Sequence, residues 1–461
     1  MNKMRILVCV LLAASVGLPQ IKMPPFERIV MENGVVLVLM PKRDLPLLSI
    51  SVAVKGGTEA DPTGLQGLAS VTAEMLTLGT AARSREKLAQ DLDQLGVVVQ
   101  RGVGRQSSRL NLECMTKDRD QALGILEDML LHSSFAEAEL KRLIAQGIDA
   151  VRVSKDRPGA AMREYAPAFY FGKTHPYGRA GNGDELSLAK ITNARVKEFW
   201  TANYVGRNMV VVVGGDFDPV AMRERMKAML GGIPAGVAHI WKQVPLVDRG
   251  AAPRLLLVDL PEATQTYFTI AQPGIERSNS DRTPLELVNT LFGGRFTSML
   301  NEALRVDSGL SYGASSEVQI DRLPGAITIS TFTKTATTVE AIDLALKQLD
   351  KLNGQGIDSQ QLASAKAYVK GEFPTANLET VDQLTTVLTD IEVYGLNRGE
   401  VDDFTSRIDS VNLEKANATA HKYYQSKGLV FVLIGDAAKI RGKIGKYAKD
   451  VTEVKISAPG Y

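Results

Sequence analysis

Asn208-Met209-Val210-Val211-Val212-Val213-Gly214-Gly215-Asp216 reads as a buried strand, a glycine turn and an aspartate that opens a helix. Gly428-Leu429-Val430-Phe431-Val432-Leu433-Ile434-Gly435-Asp436 repeats the pattern about 220 residues later. Each copy follows a tyrosine-containing lead, Asn203-Tyr204 in the first and Tyr423-Tyr424 in the second. At a similar offset, Val35 to Pro41 corresponds to Arg254 to Pro261. The chain therefore reads as two similar α+β domains.

Outward from this repeat, each half runs strands, helices, strands and further helices. In the first, Asn33-Gly34 signals a hairpin and Leu48 to Val54 alternates like a half-buried strand. Helical patterns follow at Gly64 to Leu78 and Ser84 to Leu95, then strands near Val97 to Val103 and Ser108 to Cys114. The second half reads as a strand at Thr266 to Gln272, helices at Pro284 to Phe292 and Phe296 to Arg305, and strands at Ser311 to Ile320 and Ala326 to Phe332. A mainly antiparallel sheet with helices packed on one face fits each half. The divisions expected are a signal peptide at 1–20, an N-terminal domain at 21–240, a linker at 241–253 and a C-terminal domain at 254–461.

With 461 residues, 44% of them hydrophobic, the chain has ample material for two cores. Its 54 basic and 52 acidic side chains leave a formal charge of +2, which excludes a broad field for nucleic acid or anionic lipid. Asn2-Lys3-Met4-Arg5 precedes an apolar run from Ile6 to Leu18, shorter than the ~20 residues a membrane span needs. That is a secretory signal pattern, and it places the mature protein in the periplasm or outside the cell, with no membrane anchorage after processing. Removal of the segment leaves Cys114 as the sole cysteine, so neither an internal disulfide nor a cysteine zinc site is available. Cys114 itself lies in an alternating strand pattern and reads as core.

His132, His175, His239 and His421 are isolated, and none has a second histidine three or four residues away to aim two imidazoles at one metal. A standalone metallopeptidase would have to gather ligands from these scattered positions.

Gly56-Gly57-Thr58-Glu59-Ala60, Gly67-Leu68-Ala69, Met75, His175-Pro176-Tyr177-Gly178, Gly293 to Leu300 and the run Leu304-Arg305-Val306-Asp307-Ser308-Gly309-Leu310-Ser311-Tyr312-Gly313 together resemble the pitrilysin and insulinase family of metallopeptidases. The similarity is greatest to the short two-domain form found in mitochondrial processing peptidase subunits, and it runs from about Phe26 to near the chain end. Active relatives carry H-x-x-E-H on the first-domain helix, two histidines for zinc and a glutamate as base. The corresponding positions here are Ser70, Ala73 and Glu74, and around Gln146-Gly147 no glutamate stands for the third ligand. The resemblance thus implies no metal in this chain.

For the second half it implies the opposite. Relatives hold substrate with an arginine and a tyrosine seven residues apart, which Arg305 and Tyr312 match. A guanidinium offers forked donors to peptide carbonyls and a phenol donates to a developing oxyanion. Without its flanking motif, the pair would read as a helix-terminal arginine and a strand aromatic. Met299 stands where many relatives have arginine, and Val306 where they have an acidic residue.

The expectation is a non-metal-binding subunit of a heterodimeric zinc peptidase. Its partner would be a homologous chain with an intact H-x-x-E-H motif and the zinc, and its substrates peptides or unfolded segments. The other reading is a catalytically inert peptide-binding or scaffold subunit.

Overall fold

The computed structural model describes residues 21–245 and 252–461. The expected signal peptide lies outside the described residues, as does much of the expected linker.

Two six-stranded sheets carry the fold. The first contains β1 (Glu27–Val30), β2 (Val36–Pro41), β3 (Leu47–Lys55), β4 (Val98–Val103), β5 (Ser107–Met115) and β6 (Met209–Gly215), in the order β1-β2-β6-β3-β5-β4. The second contains β7 (Arg254–Asp259), β8 (Gln265–Pro273), β9 (Ala314–Ile320), β10 (Pro324–Lys334), β11 (Val430–Gly435) and β12 (Asp450–Lys455), in the order β12-β7-β11-β8-β10-β9. The repeated sequence forms equivalent strands. β6 lies between β2 and β3, parallel to one and antiparallel to the other, and β11 sits likewise between β7 and β8. Both sheets are mainly antiparallel, as expected, with parallel pairs at β2/β6, β7/β11 and β7/β12.

The helices are not confined to one face. On one side of sheet 1, Leu37, Ile50, Val52, Leu112, Val211 and Val213 meet the helices of the first half. Alternate residues on the other side, Val38, Met40, Ala53, Val210 and Val212, meet Val381, Leu384, Leu388 and Ile391 of the helix Val381–Tyr394, which comes from the second half. The exchange is mutual: the first-half helix Pro158–Phe171 lays Ala161, Met162 and Tyr165 on Leu256, Val258, Val432 and Ile434 of sheet 2. Two-sided burial is why β6 is a continuous valine run instead of an alternating strand.

Gly214 makes this crossing possible in sheet 1, since a Cβ there would lie 2.7 Å from Thr385 Cγ2 and 3.0 Å from Val381 Cγ1. The equivalent position in the second repeat holds Ile434, a side chain that fills the space under Pro158–Phe171.

The two halves also meet through the β9–β10 turn. Asp321 pairs with Arg105, Arg322 reaches Glu59 at 2.7 Å, and Leu323 N donates to the Tyr177 hydroxyl at 2.9 Å. Arg322 also donates to the carbonyl of Lys242 at 2.7 Å and stacks over Trp241, which ties the linker segment into this junction.

Candidate functional site

α1 (Leu68–Met75) carries the degenerate motif positions. Its start is fixed by Asp61, whose carboxylate accepts from Gly67 N at 2.8 Å and Ala69 N at 2.7 Å. Burial pushes this carboxyl up to about 7, against the lowering effect of those two amides. Gly67, at φ +90°, lets the Asn182-Gly183 backbone approach so closely that a Cβ would sit 2.8 Å from Gly183 N.

None of the three motif positions offers a zinc ligand set. Ser70 Oγ donates to the Gly181 carbonyl at 2.9 Å, and Ala73 is a buried methyl. Glu74 accepts two hydrogen bonds from the Arg101 guanidinium on β4. A cation already faces the one carboxylate that remains. Gly147, on the helix Glu137–Lys155, packs against Leu188. Among the described residues no group of three or more His, Cys, Asp or Glu side chains is placed to hold a metal. Cys114 is buried in the first core, and burial pushes its thiol up to about 11.

β4 is the outermost strand of sheet 1 and is mostly exposed; among the described residues no strand pairs with its outer edge. β9, the corresponding edge of sheet 2, is covered. Asn301 Oδ1 accepts from Ala314 N at 3.3 Å, Asn289 Nδ2 donates to Ser316 O at 2.9 Å, and Arg277 donates to Ile320 O at 3.1 Å. Side chains have taken the hydrogen bonds an added strand would need.

The structure brings Arg305 and Tyr312 into direct contact. The sequence predicts a helix from Phe296 to Arg305; instead Arg295 to Ser298 is a loop, followed by a short helix Met299–Asn301 and a π-helical turn Glu302–Asp307. A second π-turn, Thr290–Gly294, ends the preceding helix. Such wide turns recur at functional sites because they redirect a side chain without breaking the helix. The glycine and serine content that favours the loop was visible in the sequence, but the two π-turns have no sequence signature.

Arg305 projects from the π-turn Glu302–Asp307 with its guanidinium carbon 4.8 Å from the Tyr312 ring centre and 4.6 Å from that of Phe296. Tyr312 precedes β9 in a loop fixed by Ser311, whose hydroxyl donates to Gly313 O at 2.8 Å and lies 2.7 Å from Thr331 Oγ1. Both rings face solvent, Tyr312 at 76% and Phe296 at 66% exposure. Among the described residues no carboxylate lies within ion-pair distance of Arg305. Of the two departures from relatives, Met299 packs against the second core and Val306 is exposed.

Gly313, next to Tyr312, lies on the rim of a cleft of about 590 Å³ between the helix Pro158–Phe171 and the outer face of β8, β10 and β9. Arg163, Tyr170, Tyr267, Glu317 and Phe332 line it. Sequence reading found Arg305 and Tyr312 but missed Phe296, which it placed in a helix, and Arg101, which carries no local signal.

Comparison with known proteins agrees with this architecture. A family profile described as insulinase (peptidase family M16) matches residues 38–173, and one described as peptidase M16 inactive domain matches residues 190–369. The chain belongs to the peptidase M16 family. The second match contains Arg305 and Tyr312; the first contains Ser70, Ala73 and Glu74. A Helicobacter pylori chain named non-peptidase homolog YmxG is 23% identical, over 86% of this chain and 90% of its own length. A Bacillus subtilis chain named as an uncharacterised zinc protease YmxG is 21% identical, over 86% and 95%. Among solved structures, a peptidase M16 inactive domain from Pseudomonas fluorescens superposes with a TM-score of 0.82 at 22% identity, covering 89% of this chain and 98% of that one. The first half of the periplasmic protease PqqL from Escherichia coli gives a TM-score of 0.72 at 15% identity, covering 92% and 94%. This M16 chain thus shares the family's two-sheet fold while lacking the histidines of its zinc motif.

Proposed function

We propose that this chain is the metal-free subunit of a two-chain M16 peptidase, and that Arg305 and Tyr312 hold the substrate in trans. One contrast carries the reading. Ser70 and Glu74 are committed to Gly181 and Arg101, whereas Arg305 stands in contact with the exposed Tyr312 ring and pairs with no carboxylate among the described residues. The partner is a homologous chain with an intact H-x-x-E-H motif, which supplies zinc and the activated water; this chain's guanidinium binds the peptide and its phenol donates to the developing oxyanion. The substrate is a peptide or unfolded segment. The basic and apolar N-terminal segment and the likeness to a periplasmic protease support a periplasmic or secreted location.

The outer edge of β4, which pairs with no strand among the described residues, favours a second reading, in which the chain binds extended peptides as a scaffold subunit without contributing to hydrolysis. Mixing the purified chain with the partner and measuring peptide cleavage separates the two. Activity that needs this chain and falls in Arg305→Ala supports the first; association without any cleavage supports the second. Full activity of the partner alone, unchanged by Arg305→Ala or Tyr312→Phe in this chain, sinks the in-trans role.

A further inference from the structure

Arg305 lies over two aromatic rings. With Phe296 at 4.6 Å and Tyr312 at 4.8 Å from the guanidinium carbon, cation–π contact with both rings restrains the guanidinium. The two ring-bearing loops are tied together by one buried side chain. Asn301 Nδ2 donates to Phe296 O at 2.7 Å while its Oδ1 accepts from Ala314 N at 3.3 Å. Asn301 is 4% exposed. Two large aromatic residues so exposed on either side of one arginine present apolar area that a purely structural role does not need.

The electrostatics are equally specific. Glu302 and Asp307 share the π-turn with Arg305, yet neither is paired with it, and Val306 places no charge beside it. A partly exposed guanidinium restrained by two rings, with no carboxylate in ion-pair distance among the described residues, matches a carboxylate, which accepts two of its donors in one plane.

We propose that Phe296, Arg305 and Tyr312 form a receptor for a peptide carboxylate, with Asn301 as its positioning residue. This rests on the reading of Arg305 and Tyr312 as substrate-holding and names the substrate class: peptides bearing a free C terminus or an acidic side chain at the residue that meets Arg305. Phe296 restrains the guanidinium and covers part of it from water, which strengthens the hydrogen bonds it makes.

The test is a ligand-observed NMR titration of the full chain with four short probes. Acetyl-Ala-Ala-Phe-Ala is used as the free acid and as the C-terminal amide; acetyl-Ala-Glu-Phe-Ala amide is compared with its glutamine counterpart. The free acid binds about tenfold or more tightly than the amide if the chain terminus is read, and the glutamate probe exceeds the glutamine probe by a similar factor if a side chain is read. Arg305→Ala abolishes the difference, Phe296→Leu weakens it and Phe296→Trp retains it, with thermal midpoints unchanged because position 296 is exposed. Asn301→Ala weakens the difference, as expected for a brace. Equal binding of all four probes overturns the carboxylate receptor. If, in addition, Arg305→Ala leaves cleavage in the mixed-subunit assay intact, the in-trans reading falls with it; if that variant lowers cleavage, only the carboxylate assignment is lost. Retention of the difference in Phe296→Leu removes Phe296 from the receptor.

Discussion

Glu74 on α1 accepts both of its guanidinium hydrogen bonds from Arg101 on β4, so the one carboxylate left in the motif is joined to the edge strand. Both side chains are partly exposed, which limits the value of the pair. Glu74→Gln is expected to lower stability by less than about 1 kcal/mol and to leave mixed-subunit cleavage unchanged. Urea denaturation and the cleavage assay check both.

Rebuilding the zinc motif should fail for the same reason. In Ser70→His/Ala73→Glu/Glu74→His the Arg101 cation stands unpaired beside the intended metal, and no third carboxylate is supplied near Gln146. Elemental analysis is expected to find zinc well below one ion per chain; stoichiometric zinc would contradict this account.

Tyr312→Phe removes one hydroxyl from an exposed ring. The thermal midpoint should not move, whereas kcat/KM of the mixed subunits should fall about 100-fold, as for loss of a single oxyanion donor. A fall in KM-dependent binding alone would assign the phenol to ground-state contact instead.

His175 makes the junction between the halves sensitive to acid. Its ring is buried, stacks on Phe171 and accepts at Nδ1 from Tyr177 N at 3.1 Å. Burial lowers its pKa from the ordinary 6.5 to about 4, reinforced by Arg105, Arg179 and Arg322 and partly opposed by the nearby Val244 backbone. The unfolded chain therefore binds a proton that the folded chain refuses. Stability present above pH 6.5 is lost as pH falls towards 4, by up to about 3 kcal/mol. His175→Phe should flatten that part of a stability-against-pH curve.

Gly214→Ala tests the crossing of the helix Val381–Tyr394 over sheet 1. The added methyl meets Thr385, Met40 and Val381 at 2.7 to 3.0 Å and should cost about 1 to 3 kcal/mol.

Much of this was legible in the sequence. The valine run and its later copy located the two central strands, because a strand buried on both faces shows as unbroken hydrophobicity. What covers the second face was not legible, since Val381–Tyr394 meets Val210 only through the tertiary fold. In the candidate site, a seven-residue spacing and its flanking motif pointed to Arg305 and Tyr312. Phe296 and Asn301 were missed because the sequence read one helix from Phe296 to Arg305, where the chain instead forms a loop holding Phe296 and a short helix ending at Asn301.

The reciprocal helices also set an order of events during synthesis. Sheet 1 has all its strands once Gly215 has been made, yet its outer apolar face waits for a helix that ends at Tyr394. At ribosomal speeds of about 5 to 20 residues per second, that interval lasts on the order of ten seconds or more. Wherever the chain folds, the first half completes its packing only once the second half is available to cover that face.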